Sequence, residues 1–328
     1  MALNTITGGA GFIGSHITSA LVQRGDRVRV LDDLSSGRLE NLSAEQLGRE
    51  VEVGEPGSGA QIEFLEGDIV DPEACRRACE GAQGVFHEAA QVSVPRSVEA
   101  PEQSYEVNVM GTLRVLEAAR GAGIERVVFA ASSAAYGESE ELPKVETFRT
   151  DPVSPYASGK VAGEELMRVW GRCYGMKTVC LRYFNVFGPR QVDDSPYTGV
   201  IAIFVRALLE GRTPKIFGDG EQTRDMTYIE NVVEVNLRAM AADLPPGTVM
   251  NVGGGERITI NELYGAIAAG LGSSLEAEHM PERPGDVKHS LASVERAREL
   301  LDWTPTVAWR EGLERTLAWY RARFESRG

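Results

Sequence analysis

Leu3-Asn4-Thr5-Ile6-Thr7 runs straight into Gly8-Gly9-Ala10-Gly11-Phe12-Ile13-Gly14. A short β-type run, a glycine turn and a helical pattern follow one another, because Phe12, Ile13, Ile17, Leu21 and Val22 share one helix face. Gly8 permits the tight turn. Gly11 lets backbone approach a pyrophosphate, and Gly14 lets the helix pack on the strand. The pyrophosphate would lie on the helix N-terminus, where unpaired N–H groups point at it.

Working outward, Arg27-Val28-Arg29-Val30-Leu31 reads as a second strand ending at Asp32. An acidic side chain there can accept hydrogen bonds from the adenosine ribose hydroxyls and would repel a 2′-phosphate. NAD is therefore expected over NADP. Arg29 and Arg38 are nearby cations, but neither stands at the acidic position. The loop that follows is rich in turn formers, and Asp33, Ser35, Ser36 and Gly37 join the candidate cofactor contacts.

Further β-type runs come at 62–65, 85–90, 127–131 and 178–184, with helical patterns between them. This alternation predicts an α/β fold, a doubly wound parallel (Rossmann) sheet. Asp68 and Ile69 close the third strand, where the carboxylate can reach an adenine amino group. Ala89 and Ala90 close the fourth, where small side chains would let backbone pass close to a cofactor, and Gln91 follows them. His87 reads as a packed strand histidine. A helix over about 101–122 places Asn108 in an apolar stretch, where its amide needs partners, and bracing the neighbouring strand would supply them. The polar segment 43–60 reads as a surface insertion in the form of a β-hairpin.

Ser132 and Ser133 stand at the C-terminal end of the fifth strand, the side on which open α/β sheets bind ligands. Tyr156-Ala157-Ser158-Gly159-Lys160 opens the next helix, and Pro152 and Pro155 precede it. A Tyr and a Lys four apart project from one helix face. A free phenol has a pKa of about 10, and a nearby cation lowers it. Lys160 is therefore expected to make Tyr156 a usable base.

Beyond Asn185 the pattern becomes loop-rich, with a helix at 200–209, a strand at 214–217 and a return strand at 250–252. The expected division is residues 1–184 plus about 225–254 as the NAD-binding part, and about 185–224 plus 255–328 as a smaller C-terminal α/β lobe for substrate.

The 328 residues carry a net charge of −14, which argues against a nucleic-acid or anionic-membrane partner. No apolar run approaches the roughly 20 residues needed to span a bilayer. The cysteines, Cys75, Cys79, Cys173 and Cys180, form no Cys-x-x-Cys pair and suggest neither a disulfide framework nor a metal site. The chain reads as cytoplasmic.

Taken together, TGGAGFIGSH from Thr7, DDLSSG from Asp32, HEAAQVSV from His87, SSAAYG from Ser132, SPYASGK from Ser154, LRYFNVFGPRQ from Leu181, GDGEQTRDMTYIENV from Gly218 and RPGDVKHS from Arg283 resemble the extended short-chain dehydrogenase/reductase superfamily. Within it the chain is similar to UDP-sugar 4-epimerases. The resemblance implies Tyr156 as general base and acid at the sugar 4-hydroxyl, with Lys160 at the nicotinamide ribose. It implies Ser132 as a relay at the 4-oxygen. NAD would stay bound, oxidise C4 and reduce it again once the 4-keto sugar has turned. Tyr183, Asn185 and Val186 carry over as cofactor contacts. Asn185 would also hold a phosphate oxygen, and Arg224 and Arg283 would clamp the diphosphate. Val200, Ile201 and Phe217 would line the uracil pocket, and Ser133, Asp286 and Ser290 complete the substrate set. Ser290 stands where epimerases restricted to plain hexoses have a bulky Tyr, so UDP-GlcNAc and UDP-GalNAc are expected besides UDP-Glc and UDP-Gal. The helices at about 101–122 and 156–174 would pair in a homodimer.

Related reactions remain as alternatives. Dehydratases of this superfamily carry an Asp-Glu pair where Ser133 and Ala134 stand, and decarboxylases carry a Glu at the second position. A 4-reductase would need NADPH, against Asp32. A uronic acid 4-epimerase uses the same C4 chemistry. A non-catalytic NAD-binding protein would typically have lost the Tyr, the Lys or the Ser.

Overall fold

The computed structural model describes residues 2–191, 199–282 and 288–326. The strands are β1 Leu3–Thr7, β2 Arg27–Asp32, β3 Val53–Gly54, β4 Ile62–Glu66, β5 Gly84–His87, β6 Arg126–Ser132, β7 Lys177–Tyr183, β8 Val186–Phe187, β9 Lys215–Phe217, β10 Thr223–Arg224, β11 Thr227–Tyr228, β12 Thr248–Val252, β13 Ile258–Thr259 and β14 Glu278–Met280. Eight of them form one sheet in the order β12-β7-β6-β5-β1-β2-β4-β3. Every pairing in it is parallel.

A parallel sheet needs both faces covered, and its strands read as continuous apolar runs for that reason. The alternation along β6 shows how this works. Val127, Phe129 and Ala131 face one core with Val85 and Cys180. Val128 and Ala130 face the other with Ile6 and Val30. The helices are α1 Phe12–Gln23, α2 Ala44–Leu47, α3 Pro72–Cys79, α4 Val94–Glu99, α5 Pro101–Tyr105, α6 Thr112–Gly121, α7 Pro155–Tyr174, α8 Val200–Leu209, α9 Ile229–Ala241, α10 Ile260–Leu271, α11 Glu295–Leu301 and α12 Trp309–Glu325. The core of α3, α6 and α7 contains Cys75, Val115, Leu116 and Met167. The core of α1 and α9 contains Ile17, Leu21, Val232 and Val235, and continues through Phe204, Leu263 and Leu313 of α8, α10 and α12.

Two expectations change. The segment 43–60 is not a hairpin: it holds the short α2, and its β3 lies parallel to β4 at the sheet edge. Turn-forming composition gave the break but not the direction of pairing. The helix expected over 101–122 is broken, with a π-helical segment, Glu106–Gly111, between α5 and α6. Such bulges occur frequently at functional sites. Among the described residues, no helix is long and apolar enough to cross a membrane.

Candidate active site

Strand order runs in opposite directions from β1, towards β2 on one side and β5 on the other. Ligands bind at such a switch point, outside the strand C-termini. The glycine turn after β1 and the loop after β5 lie there together. Gly8 has a φ of 70° and a Cβ on it would sit 2.8 Å from the Ala89 nitrogen. A Cβ on Gly14 would sit 2.2 Å from the Gly8 carbonyl oxygen, so nothing larger fits that turn. Gly11 caps α1 without a side-chain hydrogen bond.

Asp32 ends β2, buried, with its carboxylate oriented by backbone. Ala10 N donates to Oδ2 and Leu34 N to Oδ1, both at 2.9 Å. Burial pushes its pKa up, and these donors pull it back. Gly37 must be small, since a Cβ there would meet Asp32 Oδ1 at 2.5 Å. Asp33 accepts from the Ser35 nitrogen and hydroxyl at 3.0 and 2.6 Å in an exposed turn that also carries Ser36. Asp68 accepts from Val70 N at 2.9 Å. Ile69 is buried, and a Cβ on Gly111 would meet its side chain at 2.6 Å. Ala89, Ala90 and Gln91 are half-buried. Asn108, in the π segment, grips both backbone groups of Gln91: its Oδ1 accepts from Gln91 N at 2.9 Å and its Nδ2 donates to Gln91 O at 3.1 Å. The amide thus braces the loop after β5. His87 is a packed histidine, bonded through Nδ1 to Thr7 and through Nε2 to Thr112, and burial pushes its pKa down to about 3.

Ser132 is the last residue of β6, and its Oγ accepts from Ala134 N at 3.2 Å, turning the chain into a 3-10 segment, Ser133–Tyr136. Tyr156 lies in the first turn of α7, its backbone N donating to Ser97 Oγ at 3.2 Å. The Ser132 hydroxyl lies near enough to the Tyr156 phenol to pull its pKa down. Lys160 is buried and its Nζ donates to Ala130 O at 2.7 Å, above the Phe129 ring. Here one expectation needs correcting. Burial raises the Tyr156 pKa and the nearby Ser132 hydroxyl only partly offsets it, while the Lys160 ammonium is aimed at the Ala130 carbonyl rather than at the phenol. Burial also pushes Lys160 down to about 8, against the charges of Glu88 and Glu164. The donor set suits a dinucleotide: a bare helix N-terminus, a glycine cradle that a Cβ would fill, and an oriented carboxylate.

The model of the NAD dependent epimerase/dehydratase family matches residues 5–253. The chain belongs to the NAD-dependent epimerase/dehydratase family. The UDP-glucose 4-epimerase of Mycolicibacterium smegmatis is 42% identical over 318 residues, covering 96% of this chain and 97% of the relative. The UDP-N-acetylglucosamine 4-epimerase from Methanobrevibacter ruminantium, solved with UDP-N-acetylmuramic acid, superposes with a TM-score of 0.89 at 36% identity, covering 98% of this chain and 99% of that one. The UDP-glucose 4-epimerase of Thermus thermophilus, solved with NAD, gives a TM-score of 0.85 at 37% identity, covering 97% and 99%. As a member of this family the protein uses NAD.

The outer residues are less uniform. Tyr183 ends β7, and Val186 opens β8. Asn185 is exposed; its Nδ2 donates to Asp225 O at 2.9 Å and its carbonyl accepts from Thr227 N at 3.1 Å. Arg224 is half-buried, with Nη1 on Thr223 O at 3.0 Å. Ser290 N donates to Thr223 O at 3.1 Å, which brings Ser290 alongside β10. Val200 and Phe217 are half-buried. Ile201 corrects an expectation: it is only 1% exposed and belongs to the core, so its side chain backs the wall rather than lining a pocket. Arg283 and Asp286 lie outside the described residues.

Two residues of this epimerase/dehydratase chain escaped the sequence reading. Asp225 is fully buried and accepts from Gly254 N and Ala292 N at 2.6 and 2.9 Å, tying Arg224's strand to later loops. Glu88 accepts from the Tyr183 hydroxyl at 3.0 Å, and burial pushes its pKa up to about 7. An acid directly after a strand histidine was the available signal.

Proposed function

We propose that this chain interconverts UDP-sugars by epimerisation at C4 through a 4-keto sugar. The observation that carries the reading is Ser132 at the end of β6 near the Tyr156 phenol in the first turn of α7, with the buried Lys160 one helical turn on. Tyr156 takes the proton from the sugar 4-hydroxyl and returns it to the epimeric alcohol. Ser132 hydrogen-bonds the 4-oxygen and passes the proton. Lys160 binds the nicotinamide ribose from one helical turn beyond Tyr156. NAD, when bound, supplies the reversible oxidation at C4. Gly8, Gly11, Phe12, Ile13 and Gly14 receive its pyrophosphate and Asp32 its ribose. Asn185, Arg224 and Arg283 hold the diphosphate while the hexose turns over.

Ser133 and Ala134 directly follow Ser132 in the 3-10 segment. Neither can protonate or deprotonate a neighbouring carbon, which favours epimerisation over dehydration or decarboxylation. The parallel between β12 and β7 supports assigning 225–254 to the NAD-binding part. Helices α8, α10 and α12 share the core of α1 and α9, so the UDP-sugar lobe is built onto the NAD-binding part rather than apart from it.

The test is turnover of UDP-galactose by purified protein with no added cofactor, coupled to a UDP-glucose dehydrogenase. Signal is expected, and its absence would remove the reading. On the finer choice of sugar, Ser290→Tyr should lose UDP-GlcNAc/UDP-GalNAc turnover first and keep the plain hexose pair. Equal loss on both pairs would show that position 290 does not gauge the group at C2.

A further inference from the structure

Asp225 follows Arg224 directly and is fully buried. Its carboxylate takes three backbone N–H groups. Oδ1 accepts from Gly254 N at 2.6 Å, and Oδ2 accepts from Ala292 N at 2.9 Å and from Gly255 N at 3.3 Å. A carboxylate taken out of water this completely is tolerated only where such donors replace its hydration. The packing around it is close. A Cβ on Gly253 would meet Oδ2 at 2.7 Å and the Ala292 Cβ at 2.5 Å. A Cβ on Gly254 would meet the Met226 carbonyl oxygen at 2.4 Å.

The three donors come from the two segments that flank β10. On one side β13 pairs antiparallel with it, Arg224 opposite Ile258, and Gly254 and Gly255 lead into β13. On the other side Thr223 N donates to Lys288 O at 3.0 Å, Ser290 N donates to Thr223 O at 3.1 Å, and Ala292 comes two residues later. One side chain therefore pins both neighbours of the strand that carries Arg224. Its own carbonyl accepts from Asn185 Nδ2 at 2.9 Å. Asn185, Arg224 and Ser290 are thus set relative to one another through residue 225 and the bonds next to it. The far side of the same segment is tied towards Ser132. Lys144 N donates to Leu291 O at 2.7 Å, and Ser293 N donates to Lys144 O at 2.8 Å. Asn251 Nδ2 donates to that same oxygen at 2.9 Å, and its Oδ1 accepts at 2.6 Å from the hydroxyl of Tyr136, which closes the 3-10 segment after Ser132.

We propose that Asp225 is a positioning residue for the substrate: its buried carboxylate holds the Gly254 loop and the 288–292 segment against β10, and so fixes the groups that receive the UDP-sugar before the substrate arrives. This rests on the reading of Asn185, Arg224 and Ser290 given above. A site already held in its bound geometry loses less binding free energy to ordering.

The test is Asp225→Asn, which keeps the shape and turns one oxygen into an N–H2 donor. Whichever way the amide lies, that donor faces Gly254 N or Ala292 N, and one of the two segments comes loose. KM for UDP-galactose and Kd for UDP should rise together by about tenfold or more. The kcat at saturation and the NAD content should stay within about twofold, because Asp32, Ser132 and Tyr156 stand on β2, β6 and α7. A purely structural role would cut the yield of folded enzyme and leave KM and Kd in place. In wild-type protein, which needs no variant, hydrogen exchange at the Gly254 and Ala292 amides should be slow without ligand and slower with UDP. Unchanged KM and Kd in a folded Asp225→Asn enzyme, or fast exchange of both amides in the free wild type, would overturn the proposal. A wild type that bound no UDP would bring down both this proposal and the UDP-sugar reading. UDP binding without turnover would sink the epimerase reading alone, and the Kd for UDP would still decide Asp225.

Discussion

At the scale of single residues, the site combines small groups that make room with polar groups that are aimed. Gly14 is the sharpest case of the first kind. Its missing Cβ is the space in which α1 approaches the Gly8 carbonyl. Gly14→Ala should destabilise the protein by about 1–3 kcal/mol and release NAD. Gly265, exposed in α10 with open space around its Cβ position, should behave in the opposite sense. Gly265→Ala should stabilise by about 0.5–1 kcal/mol. Urea melts and the NAD content of the purified variants check both. Tyr156→Phe removes the proton acceptor, and kcat should fall at least about a hundredfold with NAD still bound; stopped assays and the ultraviolet spectrum read the two separately. Asp32 and Ser132 were legible in the sequence because each ends a β-type run. Glu88 was signalled only by its place after His87, since its partner Tyr183 stands 95 residues later. Nor could spacing reveal that Lys160 points at Ala130.

Among the elements, the π segment Glu106–Gly111 turns Asn108 towards Gln91. Asn108→Ala leaves two backbone groups of Gln91 without these partners. The expected cost is about 1–3 kcal/mol, with faster hydrogen exchange confined first to the loop after β5. Exchange that rises evenly over the sheet would show a general loss of stability instead. Most strands of the sheet interior were legible to within a residue or two, because strands buried on both faces announce themselves as apolar runs; the run 85–90 was read three residues too long, since β5 ends at His87 and Glu88, Ala89 and Ala90 form the loop after it. Helix 101–122 was legible as helix but not as interrupted, since a single inserted residue barely disturbs a helical period. In 43–60 the polar composition carried no information about which way the two-residue β3 would pair.

For the whole molecule, the faces left uncovered are informative. Val98 on α4, Tyr105 on α5, Met110 in the π segment and Val169 and Tyr174 on α7 are all exposed apolar groups. The expected partner is a second copy. Sedimentation should give twice the mass of one chain, and Val169→Glu should shift it towards monomer; a wild-type monomer at micromolar concentration would contradict this. The fold class was legible from the alternation of strands and helices. The outer lobe was less so, because its β-pairs of two or three residues have no periodicity to read.

The most direct measurement uses UDP-galactose deuterated at C4, in ordinary water, with no cofactor added. The product expected is UDP-glucose with the deuterium still on C4, because the carbon-bound hydrogen leaves and returns within one closed site while only the hydroxyl proton exchanges through Tyr156. UDP-glucose with the label washed out, or no UDP-glucose at all, would contradict the account.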